Sequence, residues 1–125
     1  MAKILIVDDA SFMRGSLKYI VESGGHEVVG MAKNGKEALE MCAKFKPDLV
    51  TLDILMKEMD GITALKEIMK RDPKAKVIMV TALGHEEKKL EAQNHGASGF
   101  IRKPFKSDDI IGVINNVLAQ TNLKA

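Results

Sequence analysis

Four short, nearly continuous apolar runs constrain this chain more than any other feature: Ile4-Leu5-Ile6-Val7, Leu49-Val50-Thr51-Leu52, Val77-Ile78-Met79-Val80 and Phe100-Ile101. None alternates apolar with polar, as a strand with one wet face would, so each reads as a strand covered by helices on both sides. A chemically competent residue closes or follows each run: Asp8-Asp9, then Asp53, Thr81 and Lys103. Carboxyl ends of several strands are where an open α/β sheet builds its site.

Between the runs, apolar residues recur with helical period. The sets are Met13, Leu17, Ile20, Val21; then Ala38, Met41, Cys42, Phe45; then Ile62, Leu65, Ile68, Met69; and last Ile110, Ile111, Ile114, Val117, Leu118. Ser11, Asn34 and Ser107 precede their helices as expected N-caps, and Asp108-Asp109 suit the dipole of the last helix. Glu27 to Ala32 supplies a further strand. A fifth helix, over Glu86 to His95, has few anchoring side chains before a Gly96 C-cap and is expected to be loosely held. Five strands alternating with five helices predict an α/β domain, a single doubly wound parallel sheet spanning residues 1–125.

At 125 residues the chain has room for one core and not for an appended effector domain. Its 19 basic and 17 acidic residues are scattered, with little aromatic interleaving, which argues against a nucleic-acid surface. The lone Cys42 cannot form an internal disulfide and is expected in the core. No segment approaches the roughly 20 apolar residues of a membrane span, and nothing after Met1 resembles a signal, so a cytoplasmic protein without membrane insertion is expected. His26, His85 and His95 lack metal-ligand spacing and read as surface or helix-end residues. Gly15 costs its helix about 1 kcal/mol relative to Ala, with no compensating role in view.

Asp8, Asp9 and Asp53 would meet at the point where the strand order reverses. Unscreened carboxylates repel, and an oxygen-rich site of this charge suits a Mg²⁺ ion, the implied cofactor. One Asp after a strand is usually a turn or capping residue. Polar residues ending several strands on one edge are much harder to explain that way.

These residues resemble the receiver domains of two-component response regulators, most nearly the stand-alone chemotaxis type. The resemblance rests on Val7-Asp8-Asp9, Asp53 followed by Met59-Asp60-Gly61, Thr81-Ala82, and Gly99-Phe100-Ile101 before Lys103-Pro104-Phe105. It implies a flavodoxin-like fold with strand order 2-1-3-4-5. It makes Asp53 the phosphoacceptor, attacking the phosphohistidine of a histidine kinase, with Mg²⁺ held by Asp9, Asp53 and the Leu55 carbonyl, and by Asp8 through a water. Lys103 and Thr81 would contact phosphoryl oxygens, and Phe100 would report the position of Thr81 to an output surface. Lys103-Pro104 would be cis. Lys57 stands where the family usually has proline, so the loop loses a fixed φ angle.

The resemblance further implies slow self-hydrolysis, because Leu55 and Leu83 are apolar at positions that tune phosphoryl lifetime. A separate phosphatase partner or back-transfer would then be needed. Output would run through a flagellar motor switch component or another effector, with the protein expected to be a monomer; a phosphorelay carrier is the alternative. A magnesium-dependent phosphatase of the haloacid dehalogenase type is the rival from another class, but the Asp-x-Asp signature is absent, as Ala10 and Ser11 stand two positions beyond Asp8 and Asp9. A nucleotide binder would need a Gly-x-Gly-x-x-Gly or Walker motif after a strand, and none is present.

Overall fold

The computed structural model describes residues 2–82, 84 and 86–120. Five strands and five helices alternate: β1 Lys3–Val7, α1 Ser11–Ser23, β2 Glu27–Ala32, α2 Gly35–Phe45, β3 Leu49–Asp53, α3 Gly61–Arg71, β4 Val77–Ala82, α4 Glu86–Asn94, β5 Gly99–Lys103 and α5 Ser107–Ala119. All neighbouring strands pair in parallel, in the order β2-β1-β3-β4-β5. The order reverses at β1 and β3, which are adjacent, so their carboxyl ends flank the expected crevice.

Period-two alternation along the strands sorts side chains into two cores. Leu5, Val7, Val50, Leu52, Val77 and Met79 face α2 and α3, packing on Ala38, Leu39, Ile62, Leu65 and Ile68. Ile4, Ile6, Ile78, Val80 and Ile101 face the other way, onto Leu17, Ile20, Val21, Ile110, Ile114 and Val117 of α1 and α5. Both sides being covered explains why the strand sequences do not alternate.

Helix starts bear out one of the three expected caps. Asn34 Oδ1 accepts from Glu37 N at 2.8 Å and caps α2. Ser11 and Ser107 are instead the first helical residues, the caps being Ala10 and Lys106 with no side-chain cap bond. At α1 the reason is Asp8, whose Oδ1 takes the Ala10 amide at 2.9 Å and sets the turn one residue earlier. Asp60, not foreseen as a cap, accepts from Thr63 N at 2.8 Å at the head of α3.

α4 buries only Ala92, in keeping with its few anchors, and Gly96 beyond it has φ +98°. Cys42 is half-buried at the edge of the α2–α3 core rather than inside it, because α2 buries Ala38 and Leu39 instead. Burial still pushes its thiol up to about 11, with Asp72 adding and Arg71 opposing. His26 ties the first strand to α5: Nδ1 accepts from Ala2 N at 3.1 Å, and Nε2 lies 3.1 Å from Asn115 Oδ1. Leu83 and His85 lie outside the described residues.

Candidate functional site

Asp8 follows β1, Asp53 ends β3 and Lys103 ends β5. Pleating places Asp53 on the same face as Leu49 and Thr51, and Lys103 on the same face as Ile101, which is the α1/α5 side. Their side chains therefore converge. Lys103 Nζ lies 3.6 Å from Asp8 Oδ2 and 3.5 Å from Asp53 Oδ2. Asp9, exposed on the following loop, completes a cluster in which one ligand atom from each of Asp8, Asp9 and Asp53 falls within 4.8 Å of the others.

Asp8 is 1% exposed and Asp53 7%. Asp8 Oδ2 is buried and receives no hydrogen bond among the described residues, Lys103 being just out of reach. A buried carboxylate oxygen that accepts no hydrogen bond is costly, and a cation closer than the Lys103 ammonium would satisfy it. Burial raises the Asp53 pKa above the ordinary carboxylate value; the charge of Asp8 adds to this, while Lys103 and the Leu55 amide, donating to Asp53 Oδ1 at 3.3 Å, oppose it. Three carboxylates and one ammonium leave a deficit of positive charge that one hard divalent cation offsets, so the donor set fits Mg²⁺.

The loop after Asp53 depends on a glycine. A Cβ on Gly61 would sit 2.1 Å from Asp53 O, because α3 begins against the end of β3, with Gly61 N donating to Ile54 O at 2.8 Å. Met59-Asp60-Gly61 is thus a contact residue, a cap and a close approach in sequence: Met59 covers Gly35 at the head of α2. Lys57, at the usual proline position, is exposed.

Thr81 and Phe100 are placed differently. Thr81 lies on the opposite pleat of β4 from Val80, and its Oγ1 donates to Ala82 O at 3.4 Å rather than to a site carboxylate. Phe100 is half-buried against the α2–α3 core, with the Lys89 ammonium 5.1 Å above its ring. The Lys103-Pro104 bond is cis, as the resemblance implied. The sequence reading assigned no role to Arg14, whose Nη1 donates to Asp8 O at 2.7 Å and braces the carboxylate loop from one turn into α1. Its spacing from Asp8 was the available signal.

The family model for the response regulator receiver domain matches residues 4–115. The chain belongs to that family. It is 50% identical over 115 residues to the chemotaxis protein CheY of Thermotoga maritima, covering 92% of this chain and 96% of that protein. Against the CheY of Bacillus subtilis it is 50% identical over 116 residues, 93% of this chain and 97% of the relative. A receiver domain protein from Clostridium thermocellum superposes with a TM-score of 0.92 at 31% identity, covering all of both chains. No helix among those described is long and apolar enough to cross a membrane.

Proposed function

We propose that this receiver accepts a phosphoryl group on Asp53, with Mg²⁺, from the phosphohistidine of a histidine kinase, and that phosphorylation changes a partner-binding surface in chemotaxis or motility signalling. The observation that carries this is the buried Asp53 carboxylate, sharing Lys103 with Asp8 at the carboxyl edge of the sheet. An Asp53 oxygen attacks phosphorus as the nitrogen–phosphorus bond breaks; the imidazole leaves with the bonding pair and an acyl phosphate forms. Lys103 shifts from the carboxylates to a phosphoryl oxygen as a compact point charge. Asp9, Asp53 and the Leu55 carbonyl would hold Mg²⁺, with Asp8 acting through a water, and the ion would supply positive charge to offset that on the transferring group.

The Thr81 hydroxyl then exchanges its weak bond to Ala82 O for a phosphoryl oxygen, and Phe100 repacks beneath the surface of α4, β5 and α5. In this reading the protein is cytoplasmic, its partners are a histidine kinase and an effector such as a motor switch component, and the signal ends through a separate phosphatase or back-transfer. Beryllofluoride, a phosphoryl mimic, tests the reading when added with Mg²⁺ to isotopically labelled protein. Amide resonances should move at Asp53, Thr81 and Phe100 together, and stay still without Mg²⁺. Movement confined to the Asp53 loop would contradict the switch.

A further inference from the structure

At the opposite pole of the sheet, below the carboxyl ends of α2 and α3, lies a cleft of about 400 Å³ that the phosphoryl chemistry does not use. The volume is in the range of small-molecule sites. Its floor is apolar, formed by Leu39, Val50 and Ile68, and the Cys42 thiol lines one wall. The mouth carries Lys46, Arg71 and Lys76. Among the described residues none of these three has a carboxylate within ion-pair distance. Asp72 is the acid present, and its Oδ1 is engaged by Lys74 N at 3.1 Å.

Basic residues near helix carboxyl ends are ordinarily explained by the helix dipole. That accounts for Arg71, in the last turn of α3, but not for Lys76, which precedes β4. It also suits Lys46, the C-cap of α2, although that residue is held in the left-handed region at φ 48° where glycine is preferred. Three cations against Asp72 and two helix ends of about half a negative charge each leave roughly one positive charge at the mouth. The apolar floor and that single surplus charge select for a molecule with one anionic head and a hydrocarbon body.

We propose that this cleft is a binding site for an amphipathic organic monoanion: a carboxylate on a medium-length hydrocarbon chain, with its head on Arg71 and Lys76 and its tail over Val50 and Ile68. The high pKa of Cys42 agrees with a dry wall beside the tail.

The test is a titration of the labelled full chain with sodium octanoate, 1-octanol and sodium acetate, following amide resonances. Octanoate should saturate shifts at Val50, Ile68, Ala75 and Lys76, with octanol about tenfold weaker or worse and acetate without effect. Arg71→Gln with Lys76→Gln should bring octanoate down to the affinity of octanol. As the chain's lone thiol, Cys42 gives an independent readout: octanoate should slow its reaction with a thiol reagent, and Ala75→Leu, which fills the cleft, should abolish that protection. Equal binding of octanol and octanoate, shifts mapping elsewhere, or no saturable shifts would overturn the proposal.

Discussion

Removing the charge of Asp53 should make the metal-free protein more stable, although it removes the proposed phosphoacceptor. The magnitude follows from three terms. Repulsion between the Asp8 and Asp53 carboxylates, whose ligand atoms lie within 4.8 Å, is about 3.5 kcal/mol at an effective dielectric of about 20. Attraction to Lys103 at 3.5 Å returns about 4.7 kcal/mol on the same scale. These nearly cancel, so burial decides the sign, which is why the Asp53 pKa is raised. Effective desolvation of an ion amounts to several kcal/mol, and Asn keeps an oxygen for the Leu55 amide. Asp53→Asn should therefore gain about 1–2 kcal/mol in chelator at pH 7, or several degrees in Tm.

Because the folded-state pKa lies above the unfolded value, the native state holds its proton more tightly. The associated stability is complete below the unfolded pKa and is lost as pH rises through the folded one. The advantage of Asp53→Asn is thus greatest at neutral pH and closes as pH falls toward the ordinary carboxylate range. Urea unfolding in chelator at a series of pH values measures it. Saturating Mg²⁺ should shrink or reverse the gap by stabilising the wild type. A variant no more stable than wild type at pH 7, or a gap independent of pH, would refute the burial argument.

Gly61→Ala should cost more than about 3 kcal/mol and disturb the Asp53 loop, since its Cβ would fall 2.1 Å from Asp53 O; denaturant midpoints report it. Gly15→Ala and Gly112→Ala, where a Cβ meets nothing within 4 Å, should each stabilise by about 0.5–1 kcal/mol in the same assay. Thr81→Ala should still take phosphoryl from acetyl phosphate but lose the beryllofluoride-induced shift at Phe100. Leu55 is 47% exposed beside Asp53, so Leu55→Asn, able to orient a water, should shorten the phosphorylated lifetime, measured by loss of label after donor removal.

The central strands β1, β3 and β4 were legible because burial on both faces writes itself as nearly unbroken apolar sequence. The Asp8, Asp9, Asp53 and Lys103 constellation was legible because each member sits at a strand end. Strand order came only through the resemblance, since apolar runs do not say which neighbour they pair with. Ser11 misled as a cap because Asp8 takes the Ala10 amide and the turn tightens by a residue, a tertiary choice invisible to local preference; Ser107 likewise falls one residue inside α5, behind Lys106. Cys42 has helical spacing but lies at the rim of the contact, where periodicity cannot distinguish half-buried from buried. The direction of the Thr81 hydroxyl depends on a pleat and a loop, and no residue pattern encodes it.

The most direct test of the central claim is to locate the phosphoryl group. The protein is incubated with acetyl phosphate and Mg²⁺, digested at acid pH and fragmented in a mass spectrometer, with a parallel sample in chelator. The account predicts a single modification on Asp53, absent in chelator and absent from Asp53→Asn. Modification of Asp8 or Asp9 in the wild type, or undiminished labelling without a divalent cation, would contradict it.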